Sequence, residues 1–415
     1  MKINELESII KNKDSGIFAI VGPNTVGKSF SLNRIYENGN SHGLFIDEYG
    51  NYKCNQIKTK VRIANNKYIY ENEERGRANT NQESELINDN SKSIIIEAKK
   101  IKDNLNSKYE SSGSKKIKNM IEILLSLNLN HISVLYIDEP ENYLDDKSIK
   151  QLKILFDTII SNNKKIVFVT HSPRLLEIVK VSINDIFIIP RLFGEIINLK
   201  YEDIKKCYQE TAEGILKCSW ASQLNFLDVK VPGTLTDIYL SKLLSSQDFY
   251  RTLFYEDVVL LEGLTEKMIL EESYQLMNFS KNAVFCNGKF PASFFINLYK
   301  LFHKNIVCIF DSDNDRPGQS CNKINQYIQT LKVDYPNLKI IFVDNNIEDL
   351  LDIKDDEIYK DILREKYSNT KKGELIRKYK PYVSVYQMRQ NPSIVSKVET
   401  LFHERNEYDE WIENN

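Results

Sequence analysis

Apolar positions along this chain fall into two kinds of run. "IFAIVG" (17–22), "SVLYID" (133–138) and "KKIVFV" (164–169) are short and rich in β-branched and aromatic residues. Continuous apolar runs of that length predict strands buried on both faces, as in a parallel sheet. Between them, "KSFSLNRIYENG", "IKNMIEILLSLN" and "SIKQLKILFDTIISNN" repeat apolar residues at helical spacing, and Gly39 closes the first. The alternation starts again at "DVVLLEG" and runs through "AVFCNGK", "NIVCIFDSDND" and "KIIFVDNN", each followed by a helical stretch. Residues 43–72 predict short strands, with turns at Tyr49-Gly50-Asn51 and Asn65-Asn66. "DIFIIPRL" and "EIINL" predict closing strands. Strand–helix alternation in both halves predicts two α/β domains with mostly parallel sheets. The boundaries that follow are 1–200 for the first domain, with 72–118 as a polar helical insertion with exposed faces. Residues 201–253 form a helical connector, and 254–415 a second domain with a helical C-terminus.

Composition narrows the function classes. The 415 residues carry 56 Lys+Arg against 58 Asp+Glu, a formal net charge of -2, so a nucleic-acid contact would need a local patch and not the global field. The basic runs "KTKVRIANNK" and "SKKIK" read first as solvated faces. Six scattered cysteines without a C-x-x-C pair argue against zinc and disulfides and fit a reducing cytoplasm. The opening lacks a signal-peptide core and no apolar run approaches about 18 residues, so neither export nor a membrane span is expected.

Two sets of residues carry chemistry. Gly22-Pro23-Asn24-Thr25-Val26-Gly27-Lys28-Ser29 matches G-x-x-x-x-G-K-[ST] between a strand and a helix. Backbone N–H groups of such a turn cradle the phosphates of ATP, with Lys28 on the β and γ phosphates and Ser29 on Mg²⁺. Asp138 and Glu139 end the apolar strand of "VLYIDEPENYLDD". Asp138 suits the Mg²⁺ and Glu139 suits the attacking water. His171 ends the next strand, in "FVTHSP". Far downstream, Glu262 ends one apolar strand, Glu266 follows one helical turn on, and Asp311 and Asp313 end another. Carboxylates at the ends of adjacent parallel strands converge on the crevice where such sheets bind ligands. Hard oxygens without His or Cys select Mg²⁺ or Mn²⁺, and a pair of such ions hydrolyses phosphodiesters.

The order "GPNTVGKS", "SSGSKK", "LYIDEP", "NYLDD", "VTHS" resembles the P-loop, signature, acidic strand, D-loop and switch histidine of ABC-type ATPase heads. That resemblance implies that Ser112 and Gly113 contact nucleotide bound to a second copy, in a head-to-head homodimer or a higher homo-oligomer. "SSGSKK" lacks the second Gly of the usual signature, no Q-loop glutamine follows the first helix, and slow or partner-gated hydrolysis follows. Glu262-Gly263, "FCNGK" and Asp311-Ser312-Asp313 resemble the Glu-Gly strand, glycine strand and Asp-x-Asp of TOPRIM domains. The two together resemble the OLD (overcoming lysogenisation defect) family of ATP-dependent nucleases. The fold class implied is an α/β ABC-type P-loop ATPase domain, a helical connecting region and a Rossmann-like TOPRIM domain. By the same resemblance Glu348 is a further metal-binding acid and Lys372 a transition-state cation. DNA is the implied substrate and anti-phage defence the implied setting. The alternative is an ATPase sensor whose TOPRIM domain cuts RNA such as tRNA, or acts only with a companion protein.

Overall fold

A computed structural model of the chain describes residues 2–39, 42–54, 59–64, 67–72, 84–105, 111–191, 194–217, 233–273, 282–286, 288–312, 320–343, 357, 360–361 and 369–403. Asp313 and Glu348 lie outside the described residues, as does the turn expected at Asn65-Asn66. The chain divides into two compact units, Met1–Tyr201 with Ser245–Phe254, and Glu202–Leu244 with Tyr255–Asn415. The 201–253 stretch is therefore shared between the units and forms none of its own.

The first unit is built on a six-stranded sheet. Its strands are β1 (Gly16–Val21), β2 (Gly43–Ile46), β3 (Tyr52–Lys53), β7 (Val134–Asp138), β8 (Lys165–Val169) and β9 (Ile186–Ile188), in the order β3-β2-β7-β8-β1-β9. All neighbours are parallel except β2 and β3. One face is covered by α1 (Ile3–Asn12) and α2 (Lys28–Gly39), where Leu6, Ile10, Phe18, Ile20, Leu32, Ile35 and Val167 form a core. Helices α3 (Asp89–Asn104), α4 (Ser112–Leu125), α5 (Asp146–Ser161) and α6 (Pro173–Val179) complete the layers. A separate three-stranded meander joins β4 (Thr59–Ala64), β5 (Lys67–Asn72) and β6 (Ser84–Leu86).

Most described residues of the 72–118 stretch are helical, and α3 has both an exposed and a buried face. The stretch begins in strand, and α3 buries Ile94, Ile95, Ala98 and Ile101 while packing on α4 and α5. Lys92, Lys99, Lys100 and Lys102 make the helix polar on average, yet Ile94, Ile95, Ala98 and Ile101 lie on one buried stripe, while Ile96 is exposed. Burial follows the stripe and not the average.

The second unit opens with α7 (Tyr201–Lys217) and α8 (Gly233–Leu244). The short helix α9 (Gln247–Thr252) between them and β10 belongs to the first unit. The sheet is fully parallel, in the order β11-β10-β12-β13, with β10 (Asp257–Leu261), β11 (Ala283–Phe285), β12 (Asn305–Asp311) and β13 (Leu338–Val343). Crossovers are made by α10 (Leu264–Glu272), α11 (Lys289–Leu301) and α12 (Ser320–Asp334), and α13 (Asn369–Gln390) and α14 (Pro392–His403) end the chain's described part. Aromatic rings of α7 and α11 stack together: Tyr208 meets Phe290 and Phe294 edge-on, and Phe295 stacks on Tyr299. A second core joins Val259, Val307, Ile309 and Ile341 of the sheet to Ile269, Leu270, Val383 and Met388. Helices on both faces explain why these strands read as continuous apolar runs. Among the described residues no helix is long and apolar enough to cross a membrane.

Candidate active sites

In the first unit the site lies at the carboxyl ends of β1, β8 and β7. β8 is hydrogen-bonded to both β1 and β7. That order sets His171, just past β8, between the turn after β1 and the acids that end β7. The turn depends on backbone shapes that few residues adopt. Gly22 has φ 150°, and a Cβ there would lie 2.1 Å from the carbonyl oxygen of Ile189. Gly27 has φ 87°, and Thr25, at φ 64°, shares the left-handed region. Successive N–H groups in such a turn form an anion-binding concavity. Lys28 is buried in it, donating to the carbonyls of Gly22 (2.9 Å) and Pro23 (2.6 Å). Burial pulls its ammonium down to about 8, against the pull of Glu139, Asp138 and Glu141.

The Ser29 hydroxyl donates to Asp138 at 3.1 Å, so the two oxygens expected to hold Mg²⁺ already touch. Burial pushes the Asp138 carboxyl up to about 6, opposed by that hydrogen bond. Glu139 sits at φ 44°, an unusual backbone for a non-glycine residue, which turns it out of the strand. Its carboxylate accepts from Asn142 and lies 3.1 Å from His171 Nε2. Burial and Lys28 lower the His171 imidazole, opposed by Glu139. Donor types, the concave turn and the touching Ser29–Asp138 pair all fit a nucleotide phosphate with its divalent ion.

Ser112 and Gly113 start α4, where Ser111 caps the helix by accepting the Ser114 N–H. Gly113 is pressed against the loop after β7: a Cβ would lie 2.6 Å from the Tyr143 carbonyl. One turn on, Lys116 donates to the Glu139 carbonyl at 2.6 Å. The start of α4 and the acidic strand end are thus locked together within one unit.

Two residues of this site escape sequence reading. Lys116 looks like one charge in a basic run. Glu141 looks like a surface acid, but the residue is half-buried with its carboxylate turned inward, accepting from the Thr170 hydroxyl and from the His171 N–H at 2.9 Å. Burial raises its carboxyl, opposed by those bonds. Glu141 holds the backbone on which His171 stands. Its spacing, three residues past Asp138, was the only available signal.

In the second unit the strand order β11-β10-β12 places the ends of β10 and β12, and with them Glu262 and Asp311, side by side. Leu261 is in register with Ile309, so Glu262 leaves β10 beside Phe310, one residue short of Asp311. Glu266, in the first turn of α10, is buried and its carboxylate accepts the Gly263 N–H at 2.9 Å, capping the helix. The Asp311 carbonyl accepts from Asn325 at 3.0 Å and from Lys289 Nζ at 2.6 Å. Lys289 begins α11, directly after Gly288, whose φ of 117° and N–H bond to the Glu262 carbonyl (2.9 Å) fold the β11 exit over β10. The Lys289 ammonium also lies 3.6 Å from the Glu262 carboxylate, with its side chain only 2% exposed.

Among the described residues no three His, Cys, Asp or Glu side chains form a ready-made ion cage. A buried cation does stand between two of the expected ligands, so the place is built to hold positive charge. All-oxygen donors with that charge preference fit a hard divalent ion. Lys372 lies in the first turn of α13, the helix that packs on α10. The cation between Glu262 and Asp311 is Lys289, which the sequence reading passed over although it ends the "FCNGK" segment.

Comparison with known families agrees with this division. Residues 37–177 match the model described as "AAA domain, putative AbiEii toxin, Type IV TA system", a span that takes in Asp138, Glu139 and His171 and begins after the phosphate-binding turn. Residues 253–313 match "Overcoming lysogenization defect protein-like, TOPRIM domain", a span that includes Glu262, Glu266, Asp311 and Asp313. No curated protein matches the chain.

Proposed function

We propose that this chain, an OLD-family protein in which an ATPase domain precedes an OLD-like TOPRIM domain, is an ATP-gated nuclease that hydrolyses nucleic-acid phosphodiester bonds. The observation that supports the reading is the placing of Glu262 and Asp311 at the ends of neighbouring parallel strands, with Glu266 in the first turn of the helix after Glu262, in a chain that also builds a phosphate cradle from Gly22 to Ser29. Divalent ions, when bound, supply charge neutralisation at phosphorus and a lowered pKa for water. Glu262, Glu266 and Asp311 would hold them, with Asp313 and Glu348 as further carboxylates and Lys372 as an additional cation. In the ATPase domain Lys28 would bind phosphate oxygens, Ser29 and Asp138 would hold Mg²⁺, and Glu139 and His171 would position the attacking water, with Glu139 as the group to take its proton.

ATP would act between two copies. Ser112 is exposed at the start of α4, and Tyr143, on the loop after β7, is 77% exposed. Both suit a face that meets a second subunit. DNA is the substrate we assign first, on the family alone, and host defence against phage follows from the same source. RNA, including tRNA, is the competing substrate.

The test is cleavage of plasmid DNA, oligonucleotides and total tRNA, with Mg²⁺ or Mn²⁺, with and without ATP. Glu262→Ala with Asp311→Ala is the control. Cleavage lost in the control supports the nuclease and names its substrate. Equal inertness of both proteins on every substrate, even with ATP, argues for an ATPase that needs a companion protein.

A further inference from the structure

The geometry points to Lys289 as a resident cation of the acidic site, one that competes with divalent metal for the Glu262 carboxylate. This inference rests on the reading of Glu262 and Asp311 as metal ligands.

A lysine with 2% of its side chain exposed is costly unless its charge is matched. Among the groups that match Lys289 are two of the expected metal-binding residues themselves. Its Nζ donates to the Asp311 carbonyl at 2.6 Å and pairs with the Glu262 carboxylate at 3.6 Å. It springs from the N-terminus of α11, where the helix dipole adds further positive potential. The backbone makes this position hard to leave. Gly288 donates to the Glu262 carbonyl and Cys286 donates to the Leu261 carbonyl, which fasten the segment before Lys289 along the end of β10. The Lys289 carbonyl accepts from the Ser293 hydroxyl, which fastens the segment after it.

The electrostatic consequence follows. Carboxylates gathered at strand ends repel one another without a counter-charge. Lys289 supplies that counter-charge when no ion is bound. The same charge repels an arriving divalent ion, so it sets a higher metal concentration for loading than the acids alone would. It is a positioning and tuning residue: it holds the Asp311 strand end in place and limits when the site becomes competent.

The test measures metal binding itself. Mn²⁺ binding to the full-length protein without nucleotide is followed by the free-ion paramagnetic resonance signal. The Glu262→Ala, Asp311→Ala protein defines binding elsewhere in the chain. Lys289→Met and Lys289→Gln remove the charge, and Gln keeps a donor for the Asp311 carbonyl. Lys289→Arg keeps the charge. Melting is recorded in chelator and in saturating Mn²⁺.

The charge-removing variants should bind Mn²⁺ about tenfold tighter or more, since one nearby unit charge acts on a doubly charged ion. They should melt below wild type in chelator and recover in Mn²⁺, while Lys289→Arg should bind as wild type does. Unchanged or weaker Mn²⁺ binding in both Met and Gln variants, with the same melting loss in both conditions, would overturn the inference and leave a structural lysine. Wild-type Mn²⁺ binding no tighter than that of the Glu262→Ala, Asp311→Ala protein would instead remove the metal site, and the inference with it.

Discussion

Removing the Glu141 carboxylate should impair the ATPase domain chiefly through His171. One carboxylate oxygen accepts from both the Thr170 hydroxyl and the His171 N–H. In Glu141→Ala both donors stay buried without that acceptor. Each orphaned donor costs roughly 1–3 kcal/mol, and the side-chain void adds to it. Against this stands the burial that already raises the Glu141 carboxyl, a desolvation cost that the alanine variant escapes. The net expectation is about 2–3 kcal/mol, which for a domain of this size lowers the melting temperature by roughly 5–10 °C. The control is Glu141→Gln, whose amide oxygen still accepts both donors but whose amide N–H groups replace a buried oxygen that has no hydrogen-bond partner among the described residues, so it should lose about 1–2 kcal/mol, less than the alanine variant. Two assays read the outcome: denaturant unfolding of the full chain, and steady-state ATP hydrolysis below the melting range. Because the hydrogen bonds of Glu141 go to Thr170 and His171, and its link to the cradle is only its charge acting on Lys28, kcat should fall about tenfold or more in the alanine variant while KM for ATP changes less. Two results would refute the reasoning. One is an alanine variant as stable and as active as wild type. The other is a glutamine variant as damaged as the alanine one, which would make charge, and not hydrogen bonding, the operative property.

Other outcomes can be stated as firmly. Gly113→Ala places a methyl 2.6 Å from the Tyr143 carbonyl and 3.2 Å from the Leu144 Cα, so it should cost about 1–3 kcal/mol in denaturant unfolding and weaken ATP-dependent self-association in sedimentation. Glu139→Gln should retain nucleotide binding while ATP turnover drops roughly 10²-fold or more; retained turnover would show that another group takes the proton. Burial pulls the Lys304 ammonium down to about 7 from 10.5, opposed by Glu256 and Asp257, while it donates to the Tyr255 carbonyl. Above pH 7 the folded chain holds this group neutral and the unfolded chain still binds its proton, so raising pH favours the folded state. The stability of wild type relative to Lys304→Met should therefore increase between pH 7 and pH 10, by about 1 kcal/mol per pH unit. A flat difference across that range would show that Lys304 stays charged in the fold.

Much of this protein is legible in one dimension, because its chemistry is punctuated by local rules. A turn that needs glycine at Gly22 and Gly27 and ends in Lys28-Ser29 announces a phosphate cradle from eight consecutive residues. Apolar runs ending in Asp138-Glu139, Glu262 and Asp311 announce strands whose carboxyl ends face a crevice, since covered parallel strands are apolar throughout. These features depend on neighbours in sequence, and so the sequence by itself determined two α/β units and the class of ligand each suits. What it left open depends on neighbours in space. Only the strand order set β8 between β1 and β7, and so placed His171 beside Glu139. Only burial distinguished Glu141 from the exposed acids around it, and the apolar stripe of α3 from its lysines. Lys289 shows the reason most plainly. In sequence it is one lysine among many, far from either acid. The β11-β10-β12 order carries the start of α11 over the strand ends, and there its charge meets Glu262 and the Asp311 carbonyl. Charge interacts through distance, and distance belongs to the fold.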